Sequence, residues 1–243
     1  MAKKASHRQP RPASGATREA RVADSSERAY QAIRRLLVEF QFKPEERINE
    51  QQLAATLNLS RTPVRAALNR LASEGFCSLI PNRGFYVRQV DSTELLNLFE
   101  ARAELEISAF RLACRRAGDP AIADLDAFWQ RALRRYERRE CDEILELDEQ
   151  FHLRLAQLSG NPELERLLAA LNGRIRFVRR IQIERGPRHD GIVRFHAQIV
   201  AALKRRAAAR GCALLRQHIC LTVENIQAVL QEALLRLYSP PRS

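Results

Sequence analysis

Asp148 and His152 lie four residues apart in Leu147-Asp148-Glu149-Gln150-Phe151-His152, which is about one helical turn. Both side chains therefore project from one helix face and can grip a single ion together. Around them Ile144, Leu147, Phe151, Leu155 and Leu158 form an apolar stripe with Asp148 in its middle. A carboxylate in that position is costly unless it is paired or bound to something. Downstream, His196 sits among Ile192, Phe195, Ile199, Val200 and Leu203. His218 lies at the edge of a stripe made by Leu215, Ile219, Thr222, Ile226 and Val229. Of five histidines these three face inward, whereas His7 falls in an N-terminal tail and His189 in an expected loop. A single inward histidine is more often a hydrogen-bonded core residue than a ligand. Three of them with an inward aspartate point to a divalent-metal site, with a hydrogen-bonded core as the alternative. Imidazole and carboxylate ligands suit zinc, nickel, iron or manganese.

Two arginines extend this polar interior. Arg102 faces inward among Leu95, Leu98, Leu105 and Ala109, with Glu106 one turn on. It either closes a buried ion pair with Glu106 or holds the carboxylate of a small effector, whose two oxygens match its fork. Arg174, beside the stripe Leu171, Ile175 and Val178, is a second candidate for the effector, whereas Arg176 and Arg179 read as more outward.

A different chemistry is written between Glu50 and Val87. Leu53, Ala54 and Leu57 mark a short amphipathic helix, and Asn58-Leu59-Ser60 breaks it. A second helix follows, with Thr62 as N-cap, Pro63 at its first position and a buried face of Val64, Ala67, Leu68 and Leu71. Two short helices so joined form a helix-turn-helix, whose second helix enters the DNA major groove. Arg61, Arg65 and Asn69 stand on its outer side at four-residue spacing. Arginine can grip guanine with two donors, asparagine can do the same to adenine, and Thr62 can donate to a phosphate. Gln51 on the preceding helix joins the set of expected DNA contacts, while Arg70 points elsewhere. Next, Phe76–Ile80 and Phe85–Arg88 flank Pro81-Asn82-Arg83-Gly84, the pattern of a β-hairpin. A hairpin behind a helix-turn-helix is a wing, and Arg83 beside Gly84 puts a cation on a slim tip that can approach the minor groove or a phosphate.

At these residues the chain resembles the GntR family of bacterial transcription factors, from about Ala29 to Val87. Ser60-Arg61-Thr62-Pro63-Val64-Arg65 and Asn82-Arg83-Gly84-Phe85 are the most specific stretches. Three positions depart from the family pattern: Ala66 replaces a usual Glu, Asn69 a frequent Arg, and Gln51 an Arg found in some branches. From roughly Ser92 to Leu235 the chain resembles the FCD effector domain of the FadR-like branch, on Leu147-Asp148-Glu149-Gln150-Phe151-His152, Leu158-Ser159-Gly160-Asn161-Pro162, His196 and His218. Glu100-Ala101-Arg102 with Glu106 fits the same domain, whereas Phe195 stands where the family often has Glu. The resemblance implies that Asp148, His152, His196 and His218 hold a divalent metal, commonly zinc, nickel or manganese, in a helical cavity.

Composition narrows the remaining choices. The 243 residues suffice for two domains. A net charge of +12 with a pI near 10.3 suits a polyanionic partner. No apolar run approaches the ~18 residues of a membrane span, and the N-terminus lacks a secretory signal pattern, so a cytoplasmic, nucleoid-associated protein is expected. Five cysteines without Cys-x-x-Cys spacing read as reduced thiols. The expected architecture is mostly α: a basic, disordered tail over 1–22, a winged helix-turn-helix over 23–90, an all-helical effector and dimerisation domain over 91–236, and a tail over 237–243. Its elements are a helix from about Ser26 to Phe40, a long helix opened by Asp91 with Glu94 as a capping box, and four or five more helices, the last from Cys212 to Tyr238.

The parts together predict a non-enzymatic, ligand-responsive repressor. It would bind a palindromic operator as a homodimer and sense a small organic acid whose carboxylate bridges the metal and Arg102. A metal-dependent hydrolytic enzyme is the alternative, because three histidines and a carboxylate around a metal can activate water. It lacks a general base beyond Glu106. A nucleoid-structuring protein would suit the charge but not the polar interior.

Overall fold

The buried apolar residues separate into two cores, one running from Ala29 to Val87 and the other from Leu95 to Val229. The computed structural model describes residues 18–39, 41–89, 91–136, 141–185, 190–220 and 223–238. In the first unit α1 (Arg18–Val38) packs Ala29, Ile33 and Leu37 against α3 (Arg61–Ser73), with α2 (Glu50–Thr56) beside it. Asn49 caps α2, its side chain accepting from the backbone N–H groups of Gln51 and Gln52. The hairpin pairs β1 (Cys77–Ile80) antiparallel with β2 (Gly84–Val87), in register Cys77 to Val87 and Ile80 to Gly84. Residues 45–48 add a third edge that the sequence did not signal: Ile48 N–H donates to Phe85, Val87 N–H donates to Glu46, and Arg47 bridges Tyr86.

Helices alone build the second unit among the described residues: α4 (Ser92–Arg116), α5 (Asp119–Tyr136), α6 (Cys141–Gln157), α7 (Pro162–Arg185), α8 (Asp190–Lys204), α9 (Ala208–Ile219) and α10 (Val223–Tyr238). Asp91 caps α4 by accepting from Glu94 N–H, as its spacing predicts. Central in the bundle, α4 packs on α6, α7, α9 and α10. It approaches α9 so closely that a Cβ on Gly211 would lie 2.0 Å from Cζ of Phe110. Only glycine fits that contact.

Four expectations are corrected. First, α1 begins at Arg18, inside the stretch expected to be a tail; residues 1–17 and Phe40 lie outside those described. Second, Ser60 rather than Thr62 is the N-cap of α3, and Pro63 is the third helical residue. A missing N–H costs as little there, because the first turn's donors have no intrahelical acceptor. Third, the expected last helix is two helices, since Cys220 takes an extended backbone (φ −68°, ψ 129°) that ends α9. Neither glycine nor proline marks the break. Among the described residues six helices therefore follow α4, and His218 stands near the end of α9. Fourth, Arg179 is buried rather than outward.

Candidate metal centre and nucleic-acid face

Residues from three helices bring the expected ligands together. α6 supplies Asp148 and His152 from successive turns, α8 supplies His196 and α9 supplies His218. Asp148, His152 and His196 are buried, and His218 is half-buried at the rim. One ligand atom from each of the four lies within 4.8 Å of the other three. The Nε2 atoms of the three histidines are 3.0 Å (His196–His218), 3.2 Å (His196–His152) and 3.3 Å (His152–His218) apart. Asp148 places its oxygens 3.5 Å from His196 Nε2 and 3.7 Å from His152 Nε2. Ligands bonded at ~2.1 Å to one ion stand roughly 3.0–3.4 Å apart, between octahedral and tetrahedral geometry. The donor set and its spacing therefore fit one divalent cation.

The surroundings prepare these atoms as donors. Glu106 on α4 places Oε2 2.5 Å from His152 Nδ1, and its Oε1 accepts from Arg102 Nε at 2.7 Å. Burial alone would raise the Glu106 pKa, but His152 and Arg102 outweigh it and hold the carboxyl down to about 2. An ionised carboxylate only accepts, so His152 must carry its proton on Nδ1 and turn a lone pair at Nε2 towards the cluster. Burial lowers the pKa of His152 against the opposing pull of Glu106, and lowers those of His196 and His218 well below the ordinary value, with Arg102 adding to the effect in all three. Neutral imidazole is the ligating form. Phe151 stacks on His196 with ring centroids 4.0 Å apart, and Trp129 meets it edge-on at 4.7 Å. These rings set its plane by packing. Asp148 in turn accepts from Arg179 of α7. Burial foremost, and then Arg102, lowers the proton affinity of Arg179, yet a guanidinium against a carboxylate remains charged.

Arg174 does not join this group, which corrects the expectation that it faces an effector here. It ion-pairs with Glu94 at 2.6 Å, and Arg88 from the end of the hairpin reaches the same carboxylate at 2.9 Å. Beside it, a Cβ on Gly173 would lie 2.5 Å from Arg34 Nη2 and 2.9 Å from Phe76 Cζ. Residues 173 and 174 of α7, with Glu94 of α4, thus lie in the contact between bundle and head.

On the head, Arg61, Thr62, Arg65 and Asn69 are exposed along the outer face of α3, opposite buried Val64, Ala67, Leu68 and Leu71. Gln51 is exposed on α2, with Arg65 4.0 Å from the neighbouring Glu50. At the hairpin tip Arg83 is exposed, its guanidinium 6.0 Å from the Tyr86 ring centroid, and Gly84 opens β2 with φ +96°. Arg70 has a structural role: it lies over the Tyr30 ring at 3.7 Å and pairs with Glu27 and Glu74.

Comparison with known proteins decides what this pairing of units is. Residues 25–87 match the bacterial regulatory proteins of the gntR family, and residues 97–220 match the FCD domain. The chain belongs to the GntR family of transcriptional regulators. It is 41% identical over 207 residues to the Nta operon transcriptional regulator of Aminobacter aminovorans, across 84% of this chain and 95% of that protein. Similarity extends at 25% identity to the HTH-type transcriptional repressor RspR of Escherichia coli K12, across 85% of this chain and 91% of that one. Among solved structures, E. coli McbR/YncC shares the fold with a TM-score of 0.69 at 24% identity, covering 86% of this chain and 98% of that chain. The hydrolytic alternative is set aside, because both domains are those of a regulator.

In this GntR regulator two residues of the site escaped sequence reasoning. Glu106 was legible as an ion-pair partner of Arg102 but not as the residue that orients His152. Arg179 lies four residues after Ile175 on the apolar stripe of α7, a signal masked by Arg174, Arg176 and Arg180 around it. Among the described residues no helix is long and apolar enough to cross a membrane.

Proposed function

We propose that this regulator is a repressor that binds a palindromic operator as a homodimer and releases it when a small organic acid enters the helical bundle. Arg61, Arg65, Asn69 and Gln51 would read bases, while Thr62, Arg83 and Gly84 would contact the backbone or minor groove. Asp148, His152, His196 and His218 would hold a divalent zinc, nickel or manganese ion, which when bound supplies a Lewis-acidic anchor for a carboxylate. Arg102 would take the same carboxylate, and the protein would act in the cytoplasm on nucleoid DNA. Two-fold symmetry in the protein would be mirrored in the operator.

The observation that carries this reading is the convergence of four ligand atoms beside a buried Arg102 whose Nη2 has no hydrogen-bond partner. An anion entering there would satisfy that donor. A route to the head is also present: α7 carries Arg179 on Asp148 and, roughly 8 Å along its axis, Arg174 on Glu94. A ligand that shifts α7 in one state but not in the other would bias the position of the heads, as any population shift requires. The test is an operator-binding titration of metal-loaded protein with and without carboxylic acids. Release by at least one acid in wild type, lost in Arg102→Ala, supports the reading. Operator affinity indifferent to every acid would refute it.

A further inference from the structure

Two guanidinium groups, not one, reach this cluster, and each retains an unpartnered donor. Arg102 of α4 uses Nε on Glu106, while its Nη2 is buried without a partner. Arg179 of α7 uses Nη2 on Asp148, while its Nη1 is buried without a partner. An ion pair present only to hold helices together gains nothing by leaving a buried donor unsatisfied, and such a donor is destabilising. The two arginines also reach different ligands, one His152 through Glu106 and the other Asp148, so they address the cluster from separate helices.

Charge counting points the same way. Buried Arg102 and Arg179 balance buried Glu106 and Asp148, and a histidine that ligates a metal does so as neutral imidazole. A divalent cation on the cluster would leave an excess of two positive charges in a low-dielectric interior. An excess of that kind is unfavourable until anions offset it. A monocarboxylate would offset half of it.

We propose that the acid sensed by this regulator is dianionic, a dicarboxylate, with one carboxylate on Arg102 Nη2 and the second on Arg179 Nη1. The inference rests on the organic-acid reading above and narrows it. Arg179 becomes an effector contact as well as a positioning residue for Asp148.

The experiment titrates metal-loaded, full-length protein by calorimetry with acetate, propionate and butyrate, and in parallel with malonate, succinate and glutarate at matched ionic strength. Operator release is read on the same samples. At least one dicarboxylate should bind about 100-fold more tightly than any of the monocarboxylates, the worth of a second charge-assisted contact. Arg179→Met, compared with wild type at equal metal content, should reduce that preference to near unity. Arg179→Lys, which keeps a cation on Asp148 but removes the fork, should lose about 10-fold for the dicarboxylate and serves if the Met variant does not fold. Equal affinity for the two series in wild type would overturn the dianion proposal alone, provided that monocarboxylates bind and release operator. Full dicarboxylate preference in the Arg179 variants would overturn the assignment of that residue. Failure of all six acids to bind would overturn this proposal and the organic-acid reading together.

Discussion

Glu106 Oε2 lies 2.5 Å from His152 Nδ1, and this contact fixes which nitrogen of the ring faces the cluster. The carboxylate turns His152 Nε2 towards the cluster, and Arg102 keeps the carboxylate in place. Glu106→Ala should therefore weaken metal binding by about 10- to 100-fold without removing any ligand atom. Glu106→Gln, which can still accept from Nδ1–H, should lose less. Competition with a chromogenic chelator measures both, and unchanged affinity in the Ala variant would mean that packing alone orients the ring.

On the DNA side, Arg65 is exposed on the outer face of α3, free of the core. Arg65→Ala should cost about 1–3 kcal/mol at the cognate operator and relax base preference there. Binding measured on operator and random DNA at one salt concentration separates the roles. An equal loss on both would make Arg65 a phosphate contact.

Gly211 tests the packing that brings α9, and with it His218, onto α4. Any Cβ at this position would overlap the Phe110 ring, with Cζ only 2.0 Å away. Gly211→Ala should destabilise the bundle by about 1–3 kcal/mol, as overpacked cores do. Urea denaturation followed by circular dichroism would register it, and an unchanged midpoint would show that the two helices separate at little cost.

Glu94 stands between Arg88 of the head and Arg174 of α7, at 2.9 and 2.6 Å. Glu94→Gln should leave operator affinity without effector within about 2-fold, since the pairs are partly solvated. It should reduce the effector-induced change in that affinity. A full response in the variant would move the coupling path away from this contact.

The reading head was largely visible in the sequence, because local signals fix it: an apolar stripe with a four-residue outer row on α3, and an Asn/Gly turn between two short apolar runs. Asp148, His152, His196 and His218 were visible for a related reason, as polar residues interrupting apolar stripes. The less legible features depend on contacts distant in sequence. Glu106 meets His152 across 46 residues and Arg179 meets Asp148 across 31, so neither partner follows from periodicity. The break at Cys220 was hidden because 3.6-residue spacing continues through Ile219, Thr222 and Ile226, with no glycine or proline to interrupt it. Arg174 misled for the opposite reason: its place beside an apolar stripe was clear, but α7 extends beyond the cluster, and that position faces the head.

Metal content tests the central claim most directly. Protein purified without an affinity tag, wild type beside His152→Ala/His218→Ala, would be analysed for zinc, nickel and manganese by mass spectrometry. The account predicts about one divalent ion per chain in wild type and none in the double variant. Wild-type protein that remains metal-free after incubation with all three ions would contradict it.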